Sequence, residues 1–285
     1  DPHIVTFDGL AYDFQAAGEY VLVREPSGSL EIQARQEPVE RSNSVTINTA
    51  LATTLDGHAV VIDATDDPAV QIDGNPTRLN DSQTLQVGNG SITRSESQYL
   101  VVYPGGDNQA EPSDEHLSVD LFRNRLDIEV SLDPDRNKSI EGVFGTLDRN
   151  SSNDLILENG SAISSSPSPE LLYGAFREDW RVSDNSTLFT YENGNGPETY
   201  FDPSIPNDII TFDQLDSDSG TTAEILAKRA GLTPGTSAYR NAIVDYVLTG
   251  NPSYFASAQR QNASSDVTNS VSPDVFSELN GSKER

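Results

Sequence analysis

The sequence predicts a mainly β protein: an antiparallel β-sandwich followed by a small C-terminal helical annex. Three observations carry that prediction. Up to about residue 200, short alternating or β-branched runs follow one another, separated by Gly, Asn, Asp and Pro, the pattern of strands joined by turns and not of βαβ units. After about residue 205 the apolar spacing changes to i, i+3, i+4, i+7, which is helical. From about 262 onward the chain is rich in Ser, Asn and Asp with little periodicity, as in a linker or frayed tail. The expected domains are therefore 1–204, 205–261 and 262–285.

Examples of the strand pattern, in order, are HIVTF, EYVLV, LEIQAR, SVTINTALATTL, HAVVID, QYLVVY, HLSVDLF and RLDIEVSL. In HLSVDLF, Leu117, Val119 and Leu121 alternate with Ser118, Asp120 and Phe122. In RLDIEVSL, Leu126, Ile128, Val130 and Leu132 oppose Asp127, Glu129 and Ser131. Period-two alternation of this kind marks a half-buried strand. A Ser/Pro stretch over 164–169 reads as a surface loop. In the annex, TTAEILAKRAGL predicts a helix capped by Thr221 or Thr222 and stopped at Gly231, with Ala223, Leu226, Ala227 and Ala230 as its apolar stripe. SAYRNAIVDYVLTG predicts a second, ending at Gly250. NPSYFASAQ predicts a short third, with Asn251 as cap and Pro252 in its first turn.

Composition limits the function. Lysine plus arginine number 18 against 45 acids, a net charge of −27. Such a surface repels nucleic acid and anionic membranes and attracts hard cations, and it also suits saline surroundings. Cysteine is absent, which excludes disulfide-linked multimers, zinc-thiolate sites and a cysteine nucleophile. No apolar run approaches the ~18 residues of a membrane span. The chain opens in mid-motif without an initiator methionine and reads as a segment of a longer protein.

Two constellations could carry chemistry. The first is the opening DPHIVTFDG, with Asp1, Pro2, His3 and Asp8. Strand alternation puts His3, Val5 and Phe7 on one face and Asp8 on the other, which disfavours a His3–Asp8 dyad. His3 reads as a strand-end histidine bonded to backbone. Asp1-Pro2 is an acid-labile bond type and a candidate for self-cleavage. The second is GVFGTLDRNSSNDL, where Asp148, Asn150, Asn153 and Asp154 fall within seven residues. Carboxylates, amide oxygens and loop carbonyls suit Ca²⁺, which takes six to eight oxygens. Without Gly at loop position six or Glu at twelve, it is not an EF-hand. Asp and Asn also bond their own backbone in tight turns, so an Asx-rich turn cluster stands beside the metal reading.

Sets of catalytic residues are absent. There is no G-x-S-x-G, H-E-x-x-H or Walker loop, and His3, His58 and His116 lie in separate strands or turns. Carboxylates are too numerous to single out a hydrolytic pair. Trp180 reads as a core anchor more than as a sugar platform.

Taken together, these motifs resemble the von Willebrand factor type D domain, over about residues 1–200. DPHIVTFDGLAYDFQAAGEYVLV follows that family's opening run from Asp1 to Leu22. FGTLDRNSSNDL is similar to its later glycine, Asx and Asn-Asp-Leu run, and Phe176 through Val182 to its Phe-x-x-Ser-Trp-x-Val, with Asp179 in the serine place. The resemblance implies a calcium site made by Asp8, Asp148, Asn153 and Asp154, with the backbone carbonyl of Asn150. Thr146 stands where the family has Asn, which leaves a hydroxyl there or one ligand fewer. Phe144 and Ala17 or its neighbour stand where the family has cysteines, as in a cysteine-free, bacterial-type branch.

The resemblance further implies a secreted or cell-surface, non-enzymatic, structural or adhesive module of a larger protein. Its partners would be other extracellular proteins or copies of itself. The alternatives are a self-processing module cleaving at Asp1-Pro2, or a carbohydrate-binding or hydrolytic module.

Overall fold

A computed structural model describes residues 2–40, 42–104, 115–133, 139–192 and 194–260. The chain forms two compact units, one ending at Ile209 and one beginning at Ile210. Asp1 and the expected tail, 262–285, lie outside the described residues.

The first unit is antiparallel throughout its ladders. Strands β1 (His3–Val5) and β2 (Ala11–Asp13) form a two-stranded hairpin. Strands β3 (Gly18–Arg24), β4 (Glu31–Pro38), β5 (Thr46–Leu55), β6 (His58–Asp63), β7 (Val70–Ile72) and β8 (Asn75–Thr77) form a six-stranded sheet in sequence order. Strands β9 (Thr84–Val87), β10 (Gly90–Ser95), β11 (Gln98–Val102), β12 (His116–Phe122) and β13 (Arg125–Ser131) form a five-stranded sheet ordered β13-β12-β11-β10-β9. The two larger sheets share one core. Leu22, Ile32, Leu51 and Ile62 of the first pack with Ile92, Val101, Leu117, Val119 and Leu126 of the second. The alternation of HLSVDLF and RLDIEVSL is met in register, with Leu117 opposite Val130 and Val119 opposite Ile128.

Strand β3 is buried on both faces, which is why Tyr20 to Val23 run apolar without alternation. The second face of the six-stranded sheet carries Ala50, Ala52 and Val61 and is covered by Phe189, Leu188 and Tyr191. Polar groups on that face are paired beneath the cover. The Glu19 carboxylate accepts the Arg35 Nε at 2.9 Å and also the Tyr191 hydroxyl, and Asp63 lies 3.4 Å from the other side of the guanidinium. The Arg35 guanidinium stacks on Tyr200 at 3.7 Å and Phe189 at 4.7 Å, the planar packing that arginine favours. Gln33 fastens the same covering segment by bonds to Ser186 O and Leu188 N.

After the Ser/Pro loop comes a helical stretch that the sequence pattern does not announce: Pro169–Leu171, a π-turn over Leu172–Phe176, and Arg177–Asp179, with Ser168 as cap. Leu172 and Phe176 are an i, i+4 pair, but the run is short, opens at Pro169 straight after the Ser/Pro loop and holds Gly174 at its middle, so it does not stand out as a helix. It delivers Phe176 and Trp180 to the core, both fully buried. Trp180 is the anchor expected of it: its Nε1 donates to Ile156 O at 2.9 Å, and its carbonyl accepts Val21 N.

The second unit has helices at Ser217–Arg229 and Ser237–Thr249 and a helical run over 253–260. The first helix starts earlier than expected. Its cap is Asp216, which accepts the N–H groups of Asp218 and Ser219, and Thr221 bonds back to Ser217 O from inside the helix. The stronger cap is the residue whose carboxylate reaches two free N–H groups. The second helix is capped by Thr236 and ended by Gly250 in the left-handed region at φ 69°. Ala223, Ala227, Tyr239, Ala242, Ile243 and Phe255 make this unit's core.

Candidate metal centre

The turn between β1 and β2 is closed by Thr6, whose N–H donates to Leu10 O and whose carbonyl accepts Gly9 N. Gly9 sits at φ 91°, a conformation that glycine adopts without strain. This turn presents Asp8. The opposing loop is pinned to β3, with Val143 N donating to Val21 O and Phe144 N to Leu22 O. Gly145 is at φ 80°, and a Cβ there would meet the Asp154 Cβ at 2.9 Å. The loop can therefore wrap Asp154 only with glycine at that position. Phe144 packs edge-on against Phe7, with ring centroids 6.3 Å apart, so an aromatic contact ties the loop to the opening turn.

Asp8, Asp148, Asn150 and Asn153 come together in one hydrogen-bonded cluster, and Asp154 is near enough to feel the charge of Asp8 without hydrogen-bonding to any of the four. One Asp8 oxygen accepts the backbone N–H groups of both Asp148 and Asn150 at 3.0 Å. The Asp148 carboxylate accepts Asn150 N at 2.9 Å and Asn153 Nδ2 at 2.8 Å. The Asn150 carbonyl accepts Asn153 N, and its Oδ1 accepts the Ser152 hydroxyl. The Asx-turn reading thus describes the loop's internal bonds, and the Asp8 contact joins that turn to the opening hairpin.

Asp154 lies beneath, fully buried. Thr6 Oγ1 donates to one of its oxygens at 2.5 Å, and Thr146 donates to the other through its hydroxyl at 3.2 Å. Thr6 Oγ1 in turn accepts Leu10 N at 2.8 Å. Burial pushes the Asp154 carboxyl above its ordinary range; the Thr6 hydrogen bond opposes this, and the negative charge of Asp8 adds to it. Among the described residues no arginine or lysine is paired with Asp154. Asn153 Oδ1 is buried without a partner.

Among the described residues, no three Asp, Glu or His side chains already converge as a metal cluster, because Asp8 and Asp148 direct oxygens at backbone N–H groups. The donor set still fits a hard cation. It combines a buried carboxylate held by hydroxyls but by no basic side chain among the described residues, an unsatisfied amide oxygen and two further carboxylates, all oxygen.

Thr6 is the participant that sequence reasoning missed. It stands two residues before Asp8, and a threonine hydroxyl placed to hold a buried carboxylate leaves no spacing signal of its own. Pro2 belongs to the sheet edge, where its carbonyl accepts Phe14 N at 3.1 Å. Asp1 lies outside the described residues. His3 bonds the Asp13 carboxylate at 2.5 Å and not Asp8. The Asp13 partner follows from the β1–β2 register, in which His3 and Asp13 face each other.

The profile of the von Willebrand factor type D domain matches residues 1–161. The chain is 28% identical over 255 residues to Sushi domain-containing protein 2 of Homo sapiens, across 88% of this chain and 30% of that protein. It is 29% identical over 183 residues to SCO-spondin of Gallus gallus, across 64% of this chain and 3% of that protein. It is 24% identical over 264 residues to Mucin-4 of Homo sapiens, across 86% of this chain and 4% of that protein. The chain therefore spans less than a third of the length of these curated relatives.

Proposed function

Because the chain belongs to the von Willebrand factor type D family, we propose that it is a calcium-stapled structural or adhesive module of a larger protein. With its secreted relatives it is an extracellular module. The observation that carries the calcium reading is the buried Asp154 carboxylate. It has no basic partner among the described residues and lies near the like charge of Asp8 and the orphaned Asn153 Oδ1. An ionised carboxylate out of water is costly unless something compensates it.

Asp8, Asp148, Asn153 and Asp154, with the carbonyl of Asn150, would hold the ion. Calcium would supply positive charge to this oxygen set and join the opening hairpin to the loop after β13. The chain's own part is to bring the two together. Asp8 and Asn150 lie 142 positions apart, so a link between them closes a long loop much as a disulfide does. A ligand bound only to the folded state stabilises it by about 2.7 kcal/mol at a hundredfold excess over Kd.

The module's work is scaffolding and contact with other extracellular proteins or further copies of itself, without catalysis. Burial of Trp180 withdraws it as a sugar platform and disfavours the carbohydrate-binding alternative. Thermal melting in calcium and in EGTA tests the reading. A higher melting temperature in calcium is expected, and equal temperatures would refute it.

A further inference from the structure

We propose that Asn159 is an N-glycosylation site. Asn-x-Ser/Thr with x other than proline is the acceptor sequence for N-linked glycans on secreted chains. Five such sequences fall among the described residues, at Asn80, Asn89, Asn150, Asn159 and Asn185, and all five asparagines are exposed. Exposure alone does not separate them.

The chemistry does. The carboxamide nitrogen must be available as the nucleophile, and the hydroxyl two residues on must be open to the transferase. Asn80 Nδ2 donates to Gln83 Oε1, and Asn89 Nδ2 donates to Asp56 Oδ2. The Ser152 hydroxyl is bonded to Asn150 Oδ1. The Thr187 hydroxyl is bonded to the Tyr191 hydroxyl and accepts Phe189 N. At Asn159 neither group has a partner among the described residues. Asn159 Oδ1 accepts Ser161 N at 2.9 Å, which fixes the carboxamide in a turn and leaves Nδ2 and the Ser161 hydroxyl free.

The setting suits a bulky adduct. Leu157 N donates to Ser161 O and Gly160 N to Leu157 O, closing a tight reverse turn flanked by an Ile156–Ala162 bridge. Gly160, at φ 83°, has open space where a side chain would stand. A glycan grows from the tip of this turn without displacing packed groups. The donor is a polyprenyl-phosphate-linked oligosaccharide, presented by a membrane-bound transferase on the export route. Asn159 Nδ2 forms a bond to the anomeric carbon. The bond from that carbon to the phosphate oxygen breaks, its electron pair leaves with the polyprenyl phosphate, and one Nδ2 proton passes to a base of the transferase.

Peptide mapping by mass spectrometry of the protein secreted by its own source organism tests the site. The peptide holding Asn159 is expected at the mass of peptide plus glycan. Asn159→Gln and Ser161→Ala should each remove that mass, Ser161→Thr should retain it, and Asn89→Gln should leave it unchanged. An Asn159 peptide found only at its unmodified mass, or only about one dalton heavier through deamidation at Asn159-Gly160, overturns the proposal. So does a glycan carried at Asn89 or Asn80 with none at Asn159.

Discussion

Asp8 and Asn150 stand 142 positions apart, yet a carboxylate oxygen of the first accepts the backbone N–H of the second at 3.0 Å. The same oxygen accepts Asp148 N at 3.0 Å. A single side chain therefore shapes a distant loop with or without an ion. Asp8→Asn keeps the size but loses the charge for both duties. It is expected to lower the melting temperature in EGTA and to shrink the further rise on adding calcium. Asp208→Ala, an exposed change outside the cluster, should alter neither. Trp180, the chain's single tryptophan and fully buried, reports the transition by fluorescence.

The buried carboxylate at Asp154 gives a pH signature. Its folded-state pKa is raised by burial above the ordinary 3.8. The folded protein therefore binds the proton more tightly than the unfolded chain does. The associated stability is present below the unfolded value and is lost as pH rises through the folded one. In EGTA, Asp154→Asn should gain on the wild type as pH is raised from about 4 through that window. In calcium at neutral pH the order should reverse, because the variant loses a ligand charge. Urea denaturation at a series of pH values measures both.

Glu19 and Arg35 are a buried pair with Tyr191, Asp63 and Glu37 around them. Burial raises the Glu19 carboxyl, and its bonds to Tyr191 and Arg35 hold it down. Arg35→Ala strands Glu19 without a cation and removes the surface on which Tyr200 and Phe189 rest. Breaking such a pair costs roughly 3–5 kcal/mol. Replacing both partners, Glu19→Gln with Arg35→Met, should cost distinctly less. Chemical denaturation of the wild type and the two variants decides the order.

In the helical unit, Thr236 Oγ1 accepts Tyr239 N at 3.2 Å. Thr236→Ala should reduce that unit's stability by about 1 kcal/mol, and Thr236→Ser should leave it close to the wild type. Hydrogen exchange at the Tyr239 to Ile243 amides reads this locally, apart from melting of the β unit.

Much of the β architecture is legible because most long strands carry their own pattern: HLSVDLF and RLDIEVSL alternate, and Tyr20 to Val23 run apolar on both faces. The short strands β2, β7, β8 and β9 have three or four residues each, too few for a period to declare itself. The stretch from Pro169 to Asp179 is not legible because it is only eleven residues long, with Gly174 at its middle and a π-turn in place of a regular helix. The cap of the Ser217–Arg229 helix is ambiguous in the sequence because Asp216, Ser217, Asp218, Ser219, Thr221 and Thr222 are all capping residue types, and Asp216 is the one whose carboxylate reaches two N–H groups. In the candidate site the acidic and amide residues were visible as a cluster. Thr6 was not, because its role depends on Asp154 arriving from 148 positions away.

The bracket of aromatic rings around Arg35 has a bearing on life outside the cell, where proteases are common. Phe189 and Tyr191 reach the guanidinium from before the exposed residues Glu192, Gly194 and Asn195, and Tyr200 reaches it from after them. Asp202 N also holds Ala17 O beyond it. A nick between Tyr191 and Pro197 would leave each new end gripping the same buried cation. The cleaved module would stay whole, its cut showing as two bands on a denaturing gel and as one particle in native solution.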